Sequence, residues 1–150
     1  MSVQIVSIQN HHGTAFRALW DQYNQFYKRT ISDHITKTTF TRLTDESVRM
    51  YGAVAIDTAE DDKVIGFVTW YPHPSTASIE EVVYLHDLFV DPGTRNGGTG
   101  RKLIEHVYDH AKSLNASSVY WHTQFFNHRA QLLYVKVADR TDFVKYQKTL

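Results

Sequence analysis

The sequence predicts one α/β domain, with a mixed central sheet of about six or seven strands flanked by about four helices. Strand-like and helix-like apolar patterns follow one another in the order β-α-α-β-β-β-α-β-α-β. The early strands succeed each other directly, as in antiparallel hairpins, whereas helices separate the later ones, as in a parallel crossover unit. A length of 150 residues, without repeats or linkers, fits one domain over residues 1–150.

The N-terminal part of the chain is expected to form a strand and two helices. Residues 3–8 alternate apolar and polar side chains, which predicts the first strand. Residues 16–27 carry apolar, largely aromatic side chains at helical spacing. We expect this face to pack on the sheet, while Tyr23 and Tyr27 also line the mouth of a substrate site. A short helix is expected near residues 38–43, within a threonine-rich stretch.

The middle of the chain predicts a hairpin and then a longer strand. Residues 50–56 and 64–71 are strand-like runs joined by an acidic loop. Residues 72–75 contain two prolines and are expected to end the second run. Residues 82–90 form the longer strand, which leads into a glycine-rich turn and an amphipathic helix that ends near Asn115.

The C-terminal part is expected to add two strands and one helix. Residues 118–123 read as a strand, and Asn127 can cap the helix that follows. The apolar residues of segment 143–146 predict a short final strand.

The composition excludes several classes of function. Sixteen basic residues balance sixteen acidic ones, so no long-range field attracts nucleic acid or an anionic membrane. The absence of cysteine excludes disulfides, thiolate metal ligands and a cysteine nucleophile. No apolar stretch approaches the roughly 20 residues of a membrane span, and no signal peptide is evident. A cytoplasmic location is therefore expected.

The glycine-rich turn between the longer strand and its helix predicts an anion-binding site. Backbone N–H groups at a helix N-terminus attract anions, and Arg95 and Arg101 add full positive charge on either side. The turn does not fit a nucleotide P-loop, because Thr99 stands in the place of the lysine. It does not fit a dinucleotide fingerprint either, because Leu103 replaces the third glycine.

Two motifs identify a different kind of phosphate loop. Arg95-Asn96-Gly97-Gly98-Thr99-Gly100 matches the pattern R/Q-x-x-G-x-G/A, and Asn127 to Tyr134 matches N-x-x-A-x-x-x-Y. On these motifs the chain resembles the GCN5-related N-acetyltransferase (GNAT) superfamily, and the order of elements agrees along the whole chain. The resemblance implies acetyl-CoA as co-substrate, no metal, and direct transfer of the acetyl group to a primary amine.

Two branches of the superfamily resemble different parts of the chain. The strand at residues 84–90 is similar to that of diamine and polyamine acetyltransferases, which have a carboxylate in place of His86. The strand at residues 118–121 and the helix after Asn127 are similar to fungal histone and D-amino-acid acetyltransferases. That branch forms homodimers or tetramers, so a homodimer is expected. The chain departs from the family at Ala138, where a Gly-Phe or Gly-Tyr pair usually follows the tyrosine, and its last strand cannot be placed by analogy.

The resemblance also implies which residues hold the cofactor. A backbone N–H of Phe89 or Val90 would polarise the thioester carbonyl, and the loop amides would hold the pyrophosphate. Asn127 is either an N-cap alone or also a contact to the pantetheine arm. The full set of expected cofactor-binding residues is Leu88, Phe89, Val90, Arg95, Asn96, Gly97, Gly98, Thr99, Gly100, Arg101, Asn127 and Tyr134.

Three side chains are the candidates for catalysis, two of them for proton transfer and one for binding the amine. Tyr134 can act as the general acid for the leaving thiolate. His86 can accept the proton of the amine directly or through water, which matters because deprotonating an amine of pKa ~10.4 at pH 7 costs about 4.6 kcal/mol. Asp87 can bind the ammonium group. In a regular strand His86 and Asp87 point to opposite faces, so both reach one cleft only at a bulge.

The sequence therefore favours an N-acetyltransferase that acts on a small-molecule amine such as an amino acid or polyamine. A protein acetyltransferase that modifies lysine or an N-terminus is the first alternative, and a non-catalytic acetyl-CoA-binding module is the second. His106 and His110 lie one helical turn apart, but we expect a solvated face there rather than a metal site.

Overall fold

The computed structural model describes residues 2–150, except for the side chains of Arg95 and Asn96. Within these residues the chain forms one mixed sheet of five strands and four α-helices. The strands are β1 Val3–Ser7, β2 Tyr51–Asp57, β3 Lys63–His73, β4 Val82–Val90 and β5 Val119–Tyr120. The helices are α1 Gly13–Phe26, α2 Asp33–Thr44, α3 Thr99–Ser113 and α4 His128–Val137. None of the helices in this described part is long and apolar enough to cross a bilayer.

The sheet has the strand order β1-β2-β3-β4-β5. Its first three pairings are antiparallel, and β4 pairs with β5 in parallel across the α3 crossover. This arrangement confirms the predicted mixed α/β fold, although the count of five strands over residues 2–150 is lower than the expected six or seven.

The two faces of the sheet carry separate apolar cores. On one face, Phe16 and Trp20 of α1 pack against Phe67 of β3, which in turn contacts Phe89 of β4. On the other face, α3 covers β2, β3 and β4 through the fully buried Leu103, Ile104 and Val107. Burying each large apolar side chain stabilises the fold by about 1.5–3 kcal/mol, so these layers hold β4 rigidly between two helices.

Helix α2 begins at Asp33, well before the predicted start near residue 38. Ser32 caps the helix, because its Oγ accepts a hydrogen bond from the backbone N–H of Ile35 at 3.2 Å. Asp33 in the first turn complements the helix dipole. The predicted short helix near residues 38–43 overlooked this polar cap.

Strand β3 continues through Pro72 to His73, so the prediction that the prolines end it was wrong. The pairing of β2 with β3 stops at Tyr51 and Trp70, while β3 pairs with β4 as far as His73 and Val82. Beyond Trp70 one side of β3 is therefore a sheet edge, and an edge tolerates the missing N–H of a proline.

The C-terminal end differs most from the expectation. β5 spans only Val119–Tyr120 instead of residues 118–123, and the predicted strand at residues 143–146 is absent from the described chain. Residues 139–150, called the tail below, form neither helix nor strand. The side chains of Phe143 and Tyr146 are 88% and 92% exposed. A strand needs a neighbour to pair with, and the two residues of β5 offer the tail almost no edge.

Candidate active site

Strand β4 contains a β-bulge at His86. Thr69 of β3 pairs with Asp87, and the next residue, Trp70, pairs with Leu85, which leaves His86 outside the ladder. The extra residue breaks the strict alternation of side chains. His86 Nδ1 consequently lies 3.0 Å from Asp87 Oδ2. The sequence predicts that His86 and Asp87 reach the same space only at a bulge, and strand β4 has a bulge at this position.

The carboxylate of Asp87 is the buried centre of this cluster and is only 5% exposed. Its Oδ1 accepts a hydrogen bond from the hydroxyl of Tyr23 at 2.8 Å, and its Oδ2 accepts one from Thr69 at 2.6 Å. Arg29 Nη2 lies 3.9 Å from Oδ1. Thr69 and Arg29 are not identifiable as site residues from the sequence, since only the folded chain brings them to Asp87.

The hydrogen bonds shift the pKa values of the pair in opposite directions. Burial raises the pKa of Asp87, whereas hydrogen bonds from His86, Thr69 and Tyr23 lower it. The hydrogen bonds together outweigh burial, so the pKa of Asp87 is below the usual value. The hydrogen bond to Asp87 raises the pKa of His86, although burial and the charges of Arg29 and Lys145 act against the increase. Asp87 is therefore an anion that holds the Nδ1–H of His86.

Tyr134 lies on α4 with its ring 5.4 Å from the ring of Trp121. Burial, with a smaller effect from the nearby phenol of Tyr27, raises the pKa of Tyr134 to about 12. The phenol is therefore protonated across the whole neutral range and can donate a hydrogen bond or a proton.

The end of α1 and the turn after it link the two parts of the site. Tyr27 is near enough to Tyr134 to raise its pKa. Arg29 stacks over Tyr27 with its guanidinium carbon 5.9 Å from the ring centre, and it also lies within 4 Å of Asp87. The end of α1 and the turn after it thus lie near both the His86–Asp87 pair of β4 and the phenol of α4.

The glycine-rich loop has the backbone expected of an anion site. A 3₁₀ turn, Pro92–Gly97, leads to Gly98 with φ +70°, and α3 begins at the next residue. A Cβ on Gly100 would lie 3.3 Å from Leu133 Cδ2, because α4 packs closely on the first turn of α3. The hydroxyl of Thr99 is fully buried without a hydrogen-bond partner among the described residues. The first N–H groups of α3 also lack partners within the helix.

Arg101 contributes less positive charge to the loop than the sequence suggests. Arg101 Nε donates to Glu105 Oε1 at 2.8 Å in an exposed pair, so Glu105 offsets much of its charge. The side chains of Arg95 and Asn96 lie outside the described part of the structure.

Strands β4 and β5 separate beside the loop. Within the described chain the two strands pair only at Val83 with Val119 and at Tyr84 with Tyr120. Beyond these pairs β4 continues without β5 as far as Val90. In this stretch Leu88 and Val90 pack towards the α3 core, whereas the ring of Phe89 packs towards α1.

The remaining polar candidates have local structural partners. Asn127 occupies the N-cap position of α4, yet its side chain makes no capping bond, and its Nδ2 donates to Thr123 Oγ1 at 3.4 Å. His110 Nδ1 accepts a hydrogen bond from Trp70 Nε1 at 2.9 Å, and His106 packs on the same indole. Among the side chains that the structure describes, no cluster of three or more could ligate a metal.

Replacing Gly98 with alanine is expected to destabilise the protein by about 1–2 kcal/mol, because a residue with a Cβ is strained in the left-handed region. Gly93→Ala is the matched control: its Cβ would meet Asp91 Oδ1 at an ordinary 3.6 Å, and its φ is not positive. Urea unfolding of both variants measures the difference. Equal stabilities would show that the left-handed turn is not a constraint.

Comparison with known sequences identifies the family of the chain. The sequence profile of the acetyltransferase (GNAT) family matches residues 6–138. D-amino-acid N-acetyltransferase HPA3 of Saccharomyces cerevisiae is 42% identical over 146 residues, which cover 97% of this chain and 90% of the relative. An uncharacterized N-acetyltransferase of Bacillus subtilis, YhfO, is 31% identical over 134 residues, covering 88% of this chain and 87% of that protein.

Solved structures share the fold over the full length. AAC(6′)-Iy in complex with a CoA-containing bisubstrate analogue superimposes with a TM-score of 0.84 at 17% identity, covering 100% of this chain and 99% of the other. A probable acetyltransferase gives a TM-score of 0.85 at 23% identity, with coverages of 98% and 97%. Fold, loop and sequence agree: the chain belongs to the GNAT family of acetyltransferases and is an N-acetyltransferase.

Proposed function

We propose that the protein transfers the acetyl group of acetyl-CoA directly to the primary amine of a small molecule, with an amino acid favoured over a polyamine. The observation that carries the proposal is the position of the end of α1 against both the His86–Asp87 pair and Tyr134. The end of α1 therefore lies near both a candidate base and a candidate acid. The name of the yeast relative, a D-amino-acid N-acetyltransferase, supports the choice of acceptor.

The loop before α3 fits the pyrophosphate of acetyl-CoA. Gly98 gives the turn its left-handed residue, and the first N–H groups of α3 provide donors for an anion. The buried hydroxyl of Thr99 has no partner in the described chain, and an unsatisfied buried hydroxyl is costly unless a ligand supplies one. Acetyl-CoA supplies the acetyl group as a thioester. The complete proposed set is Leu88, Phe89, Val90, Arg95, Asn96, Gly97, Gly98, Thr99, Gly100, Arg101, Asn127 and Tyr134.

His86 is the base in this proposal, and Asp87 is the residue that positions it. Because Nδ1–H of His86 donates to Asp87, the lone pair of a neutral ring lies on Nε2, on the opposite side. Nε2 takes the proton from the ammonium group, and the free amine becomes the nucleophile. The oxygens of Asp87 are occupied by Tyr23, Thr69 and His86, so the ammonium group itself meets His86 first.

Tyr134 is the general acid. Its phenol is protonated at neutral pH, because burial and the nearby phenol of Tyr27 raise its pKa. A hydrogen bond from this phenol stabilises the sulfur as it takes up negative charge, and the proton completes the free thiol.

An assay of thiol release with a panel of amines tests the function. The panel contains both stereoisomers of several amino acids, polyamines, and peptides with a free lysine or N-terminus. Turnover should be fastest with amino acids. Preference for peptides would favour the protein acetyltransferase, and binding of acetyl-CoA without turnover of any amine would overturn the proposal.

The homodimer expected from the sequence is part of the same proposal. The tail exposes Phe143, Val144, Tyr146 and Leu150, and no other described residues cover these side chains. The same chain also exposes Phe125, Phe126, Leu132 and Val135 around α4. Exposed apolar surface on this scale is typical of an interface. In a symmetric dimer, the tail of each copy would cover the apolar residues around α4 of the other copy.

Full-length protein is expected to sediment as a dimer at micromolar concentration, whereas the double variant Phe143→Asp/Tyr146→Asp is expected to be a monomer. Charged groups at these positions would be buried at the interface and would cost several kcal/mol. Lys148→Asp places an aspartate in the same segment at a position that is already charged, and this variant should remain dimeric. A monomeric full-length protein in sedimentation equilibrium would refute the dimer. The cytoplasmic location expected from the sequence stays a prediction.

A further inference from the structure

We infer that Arg29 binds the carboxylate of the acceptor, so that the site is built for amino acids with a free α-carboxylate. The inference rests on the proposed function and identifies the side chain that gives this function its substrate class. Three features of Arg29 support it: a fixed backbone, a preorganised side chain with unused donors, and a position beside the proposed base.

The turn after α1 fixes the backbone of Arg29. Lys28 adopts φ 53°, a left-handed conformation that a lysine rarely takes. Its N–H donates to Gln25 O at 3.0 Å, and the N–H of Arg29 donates to Asn24 O at 3.1 Å. This pattern of bonds at a helix C-terminus reverses the chain. The chain therefore accepts a strained lysine, and the reversal brings Arg29 back over the aromatic face of α1.

The side chain of Arg29 is also held in place. Its Nε donates to Asn24 Oδ1 at 2.5 Å, and Asn24 Nδ2 donates to Trp20 O at 2.9 Å. The guanidinium carbon lies 5.3 Å from the ring centre of Tyr23 and 5.9 Å from that of Trp20. Asn24 and the two aromatic rings are buried, so the support is rigid. A guanidinium fixed in advance loses little conformational freedom when it binds an anion.

The outer donors of Arg29 remain available. Its Nη2 lies 3.9 Å from Asp87 Oδ1, which is beyond hydrogen-bond distance, and neither Nη group donates to another described residue. The side chain is 39% exposed, so a ligand can reach it. A planar fork with free N–H groups matches the two oxygens of a carboxylate.

Arg29 and His86 approach the same carboxylate from two sides. Arg29 Nη2 and His86 Nδ1 each lie within 4 Å of an oxygen of Asp87. In an α-amino acid the amine and the carboxylate are attached to one carbon atom. An α-amino acid bound between these two side chains would present its amine to His86 and its carboxylate to Arg29.

The charges around the site disfavour a polyamine. Arg29 and Lys145 both lie near enough to His86 to lower its pKa. A polyamine carries further positive charges beside the reacting amine, and these would face two cations. An amino acid instead presents a negative charge to Arg29, which makes the interaction favourable.

The experiment compares amino acids with their α-amides and their decarboxylated amines as acceptors. Wild-type kcat/KM should be about 10- to 100-fold higher for the free acid than for the amide, as expected for hydrogen bonds between charged groups. Amidation lowers the basicity of the amine, which by itself would favour the amide. In Arg29→Gln the ratio should fall to one or below, mainly through a higher KM for the acid, because the carboxylate does not change charge during the reaction.

Two further variants keep the result interpretable. Lys28→Gln removes the neighbouring exposed cation and should retain the wild-type ratio. Arg29→Lys keeps the charge without the fork and should give an intermediate ratio, so the test survives if Arg29→Gln folds poorly. A wild-type enzyme that acetylates acid and amide equally, or an Arg29→Gln variant that keeps the preference, would overturn the carboxylate site while leaving the acetyltransferase intact. Failure to acetylate any amine would overturn both.

Discussion

Tyr134→Phe is expected to lower kcat about 100-fold while the Kd for acetyl-CoA stays within a few-fold of wild type. The substitution removes only the hydroxyl, and general acid catalysis contributes at least about 100-fold in typical cases. The ring would keep its packing on Trp121, 5.4 Å away, so α4 should hold its position. Single-turnover kinetics and a separate binding titration distinguish the two constants.

Tyr108→Phe is the matched control for this experiment. Tyr108 of α3 donates its hydroxyl to Val137 O at 2.8 Å, so the variant also removes one phenol oxygen that touches α4. We expect a small loss of stability and nearly unchanged kcat. An unchanged kcat in Tyr134→Phe would remove Tyr134 as the acid. The pKa of about 12 adds a further criterion: kcat of the wild type should not decline through titration of this group below about pH 10.

Asp87→Asn is expected to lower the free energy of unfolding by about 1.5–3 kcal/mol, the usual value of hydrogen bonds to a charged group. The amide keeps the shape but loses the charge on which Tyr23, Thr69 and His86 converge. The depressed pKa of Asp87 stabilises the fold above its unfolded value of ~3.9, and this contribution disappears as the pH falls through the folded pKa. The raised pKa of His86 stabilises the fold below ~6.5, and this contribution disappears as the pH rises through its folded pKa. The loss in the variant should therefore be largest between about pH 4 and 6.5.

The same variant should also change the pH profile of kcat/KM. In the wild type the activity rises as His86 loses its proton, with a midpoint above ~6.5 because Asp87 raises the pKa. In Asp87→Asn the remaining effects are burial and the charges of Arg29 and Lys145, all of which lower the pKa, so the midpoint should move to lower pH. Thr69→Val removes a hydrogen bond but keeps the carboxylate, so it should lose stability without a comparable shift. A common midpoint for all three proteins would exclude His86 as the titrating base.

The layers of the fold could be predicted from the sequence because their signals are local. The helical spacing of apolar residues in α1 and α3, and the run that forms β4, report burial directly. The loop at Gly98 was recognisable for the same reason, since its glycines are adjacent along the chain. The predicted strand at residues 143–146 failed because a strand depends on a partner, and the described chain offers none there.

The arrangement of the site depends on tertiary structure and could be predicted only in part. His86 and Asp87 were recognisable as candidates, but a one-residue shift in the pairing with β3 decides whether they meet, and the shift has no local sequence signal. Arg29 looks like an ordinary solvated cation until the turn at Lys28 places it near Asp87, far away in sequence. Thr69, too, reaches Asp87 only in the folded chain and has no signal in the sequence.

The absence of buried residues on α4 gives the two sides of the cleft unequal rigidity. No residue within this helix is fully buried, whereas β4 lies between α1 and α3 in the middle of both cores. Thermal fluctuations therefore loosen the segment that carries Tyr134 before they disturb the strand that carries His86. A ligand that touches both must order α4 at an entropic cost, and in return it stabilises that helix. In the proposed mechanism, in which Tyr134 contacts acetyl-CoA, cofactor binding and the ordering of α4 would be thermodynamically coupled.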